Sequence, residues 1–250
     1  MICDNCHKEN RNIAKFCKWC GHPLVSQNVL DKLVGLDELK SQLKTIVDTY
    51  TFLRSRKDVA TVRLSVNAII IGETGTGKTA LAEVLRDYFY QHKIISKSKL
   101  TIVDAVDYSR FVDKWDENIK DAREGILFFD NVQKLLPDKY SNQVNPLDKL
   151  FVEMDKWEDN PIVVMAGLPK GLDEFLENNP AVTNRFKYTF RLPTPGYHEL
   201  ADIAKQELRM KYGIVSFSPE ADKQLNRYFK YQIKIKDDTF GNAHLAMKTA

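Results

Sequence analysis

Apolar residues fall into two alternating rhythms along most of this chain. From Asp31 onward, "DKLVGLDELKSQLKTIVDTYTFLRSRKD" repeats them at helical spacing: Leu36, Leu39, Leu43, Ile46, Val47, Tyr50 and Leu53. Short continuous apolar runs then alternate with helical stretches. "LSVNAIIIG" (64–72), "LTIVDAV" (100–106), "ILFFD" (126–130), "PIVVMAGL" (161–168) and "YTFRL" (188–192) read as strands. The segments between them, 78–92, 111–125 and 146–157, read as helices. Strands that are apolar throughout must be covered on both faces, so the pattern predicts a parallel sheet between two layers of helices.

After "PTPG" (193–196) the strands stop and three helical patterns follow. The first ends at Gly213, a plausible cap. The second opens with Ser218 as N-cap and Pro219 in the first turn, and the third begins in "FGNAH". The organisation expected is a cysteine-bearing module at 1–23, a linker at 24–30, an α/β unit at 31–193 and a small all-helical lid at 194–250. The polar stretch 137–146 reads as a loop.

Composition narrows the partners. With 37 basic and 34 acidic residues, the charge of +3 does not point to nucleic acid or a membrane surface. The longest apolar runs, "AIII" and "ILFF", fall far short of the ~20 residues of a spanning helix. "MICDNC" lacks the basic flank and apolar stretch of a secretion signal, so the expected compartment is the cytoplasm.

The chemistry concentrates first at "GETGTGKT" (72–79), which satisfies G-x-x-x-x-G-K-[ST] between a strand and a helix. Gly72, Gly75 and Gly77 let the backbone wrap a phosphate chain closely, with Glu73, Thr74 and Thr76 contributing main-chain atoms between them. The helix start adds partial positive charge. Lys78 is placed for the β and γ phosphates and Thr79 for magnesium. Such a site needs an acid at the end of a neighbouring strand, and "ILFFD" supplies Asp130. The plainer reading of Asp130 is a turn residue after a strand.

All four cysteines, Cys3, Cys6, Cys17 and Cys20, lie in two C-x-x-C pairs near the start. That spacing can place four thiolates tetrahedrally around Zn2+, and the metal would supply folding energy that so short a segment lacks. A redox pair is the rival, made less attractive by the second copy. His7 and His22 are spare candidate ligands.

With these motifs in order, the chain resembles AAA+ ATPases of the CbxX/CfqX branch, the group with red-type rubisco activases and sporulation-protein-K-like members. "LVGLDELKSQL", "GETGTGKT", "ILFFD", "NNPAVTNRF" and "FGNAH" carry the resemblance, from about Leu30 to Ala250. It implies ATP and Mg2+ as ligands, with the Val34–Gly35 backbone near adenine. It also implies a homo-oligomeric ring, usually a hexamer, acting on a protein partner. Arg185 would be an arginine finger reaching a neighbouring subunit's γ-phosphate, and His244 stands at the sensor 2 position.

The chain departs from that pattern at three places. The family's glutamate after the magnesium aspartate is Asn131 here, which can hold a water but cannot take its proton. Leu168 stands where a polar sensor 1 residue is expected, and His244 replaces an arginine. Slow hydrolysis is therefore expected, with Asn131→Glu raising it by ~10-fold or more. Phe111 and Trp115 are candidates for a substrate-threading loop, or for anchors of the next helix. Three functions follow: a ring ATPase that remodels a protein, a nucleotide-gated scaffold with negligible turnover, and a nucleic-acid-associated ATPase reading through the cysteine module.

Overall fold

The structure, a computed structural model, describes residues 8–9, 18–20, 29–56, 65–105, 113, 115–135, 147–157, 160–212, 216–235 and 241–249. Cys3, Cys6, Cys17, Phe111, Gly213, most of the expected linker and the whole polar loop 137–146 lie outside the described residues.

Five parallel strands build one sheet: β1 (Ala68–Gly72), β2 (Leu100–Asp104), β3 (Ile126–Asp130), β4 (Ile162–Gly167) and β5 (Tyr188–Leu192). Their spatial order is β2-β3-β4-β1-β5. The three central strands are buried along nearly their whole length, as their unbroken apolar runs require, whereas edge strands β2 and β5 are partly exposed.

Side-chain alternation splits the core into two layers. Ala68, Ile70, Ile126 and Phe128 face one layer with α1 (Asp37–Ser55) and α2 (Lys78–Gln91). Ile69, Ile71, Leu127 and Phe129 face the other. That second layer holds α3 (Trp115–Ala122), α4 (Asp148–Met154), α5 (Pro169–Asn178) and α6 (Pro180–Arg185).

Helix α1 starts later than the run from Asp31 implies. A 3-10 turn spans Val29–Lys32, and the chain turns at Gly35, whose φ is +67°. An ordinary L-residue resists that conformation, so helix cannot run through it. The pair α5 and α6 was not evident from apolar spacing. Each opens on a proline, and Lys170 and Gly171 interrupt the helical backbone inside α5.

Beyond the sheet lie α7 (Tyr197–Tyr212), α8 (Pro219–Lys234) and α9 (Ala243–Thr249). Leu200, Ala201, Ala204, Phe229 and Ala246 form their own small core. The Ser218 hydroxyl accepts the Ala221 N–H at 3.1 Å, the expected cap, with Pro219 in the first turn. Among the described residues, no helix is long and apolar enough to cross a membrane.

Candidate nucleotide-binding and catalytic site

The turn from β1 into α2 is shaped by glycine. Gly75 and Gly77 have φ of +73° and +97°, and among the described residues no heavy atom beyond its chain neighbours and its own helix backbone lies within 4 Å of where a Gly77 side chain would start. The loop is therefore open on that side. No side chain caps α2 and no acid occupies its first turn, so its partial positive charge stays available for an anion.

Lys78 is buried and donates from Nζ to the carbonyls of Gly72 and Glu73, each at 2.9 Å. Burial pushes its ammonium below the ordinary lysine value, against the opposing pull of the Asp130 and Glu73 carboxylates. A phosphate chain would supply the negative charge that this buried ammonium lacks.

The Thr79 hydroxyl lies 3.4 Å from the Asp130 carboxylate across 51 residues of sequence. Two hard oxygen donors thus meet beside the lysine, the chemistry magnesium takes. Asn131 follows at φ +58°. Its N–H donates to Asp130 Oδ1 at 2.8 Å, and its side-chain amide donates to Asp104 Oδ2 at 2.7 Å. Leu168, at the end of β4, offers its N–H to Gln133 Oε1 at 3.2 Å.

A cavity of about 430 Å3 adjoins the P-loop. Val34, Gly35, Thr76, Ile203, Ala243 and Met247 are among its walls, so the segment before α1, the P-loop and the helices beyond the sheet enclose one space. Its size falls in the range of small-ligand pockets. The far end of the chain also grips the P-loop directly. Asn242 donates from Nδ2 to the Thr74 carbonyl at 2.6 Å, and the Ala243 N–H donates to the Gly75 carbonyl at 2.9 Å. A side chain on Gly75 would meet the Gly241 carbonyl oxygen at 2.2 Å.

The remaining two expected site residues lie on helices α6 and α9. His244 is exposed on α9 while its neighbour Ala243 lines the cavity. Arg185 closes α6 and forms a bidentate pair with Asp155, at 3.0 and 2.6 Å, with its guanidinium 6.0 Å from the Phe151 ring centroid. Asp104, Gln133, Asp155 and Asn242 were not singled out by the motifs. Asp104 carried a signal, since "TIVD" sets an aspartate after apolar residues as "LFFD" does, although Ala105 and Val106 continue the apolar pattern.

Of the four cysteines, Cys20 alone is described, and it is exposed. Among the described residues, no group of three or more His, Cys, Asp or Glu side chains could hold a metal ion.

The profile of the ATPase family associated with various cellular activities (AAA) matches residues 68–193, half of the chain. The chain belongs to the AAA family of ATPases. Members of this family bind and hydrolyse ATP with Mg2+, and the P-loop geometry above fits that use.

Among curated proteins, this AAA chain is 26% identical over 188 residues to the ESX-3 secretion system protein EccA3 of Mycobacterium leprae, covering 72% of the chain and 29% of that protein. It is 26% identical over 208 residues to stage V sporulation protein K of Bacillus subtilis, covering 80% of the chain and 64% of that protein. The chain thus spans under a third of the first relative and under two thirds of the second. Among solved structures, a chain in the E. coli MS115-1 HORMA:CdnC:Trip13 complex superposes with a TM-score of 0.52 at 19% identity, over 89% of both chains. That likeness concerns the fold.

Proposed function

We propose that this chain assembles into a homo-oligomeric ring, a hexamer, in which ATP hydrolysis drives remodelling of a protein partner. The observation that carries the reading is the convergence of P-loop, Asp130 and apolar cavity, closed over by α7 and α9 as a lid. In this reading Val34 and Gly35 border adenine, and the backbone from Gly72 to Gly77 cradles the phosphates. Lys78 neutralises the β and γ phosphates, and Thr79 and Asp130 hold magnesium, which offsets phosphate charge. The catalytic positions are Asn131, Arg185 and His244. Arg185 would exchange its Asp155 partner for the γ-phosphate of a neighbouring subunit, and His244 would report on that phosphate from the lid.

The cysteine module is carried as a zinc ribbon held by Cys3, Cys6, Cys17 and Cys20, serving to dock a protein. Its spacing supports this, as does the approach of its two halves: Trp19 Nε1 donates to the Glu9 carbonyl at 3.4 Å, and Lys8 lies 4.8 Å from the Trp19 ring centroid. The relatives are named for a secretion system and for sporulation, and the partner here is proposed only as a protein.

Native mass spectrometry with and without ATP tests both parts. The expected result is a ring that forms or tightens with ATP, carrying about one zinc per chain. A chain that binds ATP yet stays monomeric at every concentration removes the ring, and with it the role of Arg185. A nucleotide-gated scaffold is the second reading, favoured by the amide at Asn131, and steady-state ATP turnover near zero would select it.

A further inference from the structure

We infer that Asp104 supplies the water-activating carboxylate of this site, with Asn131 holding it in place. The inference rests on the ATPase reading above and concerns which residue takes the proton.

Asp104 ends β2 as Asp130 ends β3, and the two are register partners across a parallel pair. Register partners sit about 4.8 Å apart and direct their side chains to the same face. That face is fixed by the rest of β2. Leu100 packs on the α1–α2 layer and Val103 on the opposite one, so Asp104 emerges on the α2 side. Asp130 does the same, and there meets Thr79 of α2. Asp104 and Asp130 therefore stand side by side at the sheet end that faces the P-loop.

Asn131 ties the two together. Its left-handed backbone folds the chain over the strand ends, its N–H holds Asp130, and its amide NH2 holds one oxygen of Asp104 at 2.7 Å. The polarity of that last bond matters. A carboxylate at position 131 would face Asp104 as a like charge, whereas an amide orients it. Asp104 has a further interaction besides the Asn131 bond, and a carboxylate offers about four acceptor sites on its two oxygens. Two carboxylates are thus present at the strand ends, one for the metal side and one for the water. The second comes from β2 instead of the residue after Asp130.

The step balances with ATP and water alone. The water oxygen attacks the γ-phosphorus and a new P–O bond forms. The bond from that phosphorus to the β–γ bridging oxygen breaks, and its electron pair leaves with ADP. The water proton passes to the Asp104 carboxylate and then to solvent.

The test measures single-turnover hydrolysis, ATP affinity and thermal unfolding for the wild type, Asp104→Asn and the exchanged pair Asp104→Asn/Asn131→Glu. Asp104→Asn should lower the hydrolysis rate by ~10²–10⁴-fold. Its ATP affinity and its magnesium dependence should stay within about twofold of wild type. The exchanged pair, which returns a carboxylate to the other strand, should recover at least roughly tenfold of the lost rate. Wild-type hydrolysis by Asp104→Asn overturns the inference, as does a rate loss matched by an equal loss of affinity or of folded protein. A wild type that binds ATP without hydrolysing it overturns the inference too. Failure of the wild type to bind ATP is a different result, because it removes the nucleotide reading itself, and Lys78→Ala is the control for it.

Discussion

The two sides of the candidate site are built differently. The phosphate side is one uninterrupted turn, Gly72 to Thr79, made mostly of backbone. The water side is drawn from separate strand ends: the Asn131 amide after β3 bonds Asp104 at the end of β2, and the Leu168 N–H after β4 bonds Gln133. A site made from contiguous backbone has little room to vary, since each glycine answers to a fixed dihedral or a fixed clearance. A site made from separate strand ends can pass a carboxylate from one strand to its neighbour and keep the charge. The comparison therefore teaches that a missing motif residue, here a glutamate after Asp130, is not the same as a missing functional group.

The contrast breaks most visibly at Lys78. Lys78→Ala should weaken ATP binding by ~10²-fold or more, because the lost charge-assisted bonds leave phosphate uncompensated in a buried setting. Calorimetric titration reads this directly, and an unchanged affinity would mean that the phosphate side is not where nucleotide sits.

Gly75→Ala should cost about tenfold in ATP affinity. The new methyl would sit 2.2 Å from the Gly241 oxygen at a φ of +73°, so the loop must shift or α9 must leave it. Affinity like that of wild type would show that the grip of α9 does not shape the loop.

Asn131→Glu sharpens the water side by the smallest change. Read as a lost base, position 131 should gain ~10-fold in single-turnover rate from glutamate. Beside Asp104, the new carboxylate instead meets a like charge, and no gain is expected. Rapid-quench measurement of phosphate release decides between the two.

How much was legible in the sequence follows from the same distinction. Strands β1, β3 and β4 are buried on both faces, so their apolar runs are unbroken and readable. The P-loop was readable because its chemistry lies within eight adjacent residues. The Asn131–Asp104 bond spans 27 residues and crosses two strands, so it exists only once the sheet is ordered. The Arg185–Asp155 pair spans 30 and joins α6 to the turn after α4. The motif "FGNAH" holds both His244 and Asn242, and the bond from Asn242, just before α9, to Thr74 spans 168 residues, so only the folded chain shows it. The left-handed backbone of Gly35, which sets where α1 begins, has no signature in apolar spacing.

The grip of Asn242 on Thr74 also sets an order of events during synthesis. The two residues are 168 positions apart, and Ala243 and Met247 contribute walls to the same cavity. A ribosome that has released β1, the P-loop and α2 has therefore delivered a phosphate cradle without its outer support. Translation must continue almost to the last helix described before that support can close. Contacts of such long sequence separation form late and slow folding. A nascent chain of this protein is thus expected to gain full nucleotide affinity in a late step, after the sheet has formed, and ribosome-stalled chains in which residues 241–247 have or have not emerged would differ in ATP binding although both expose the whole of "GETGTGKT".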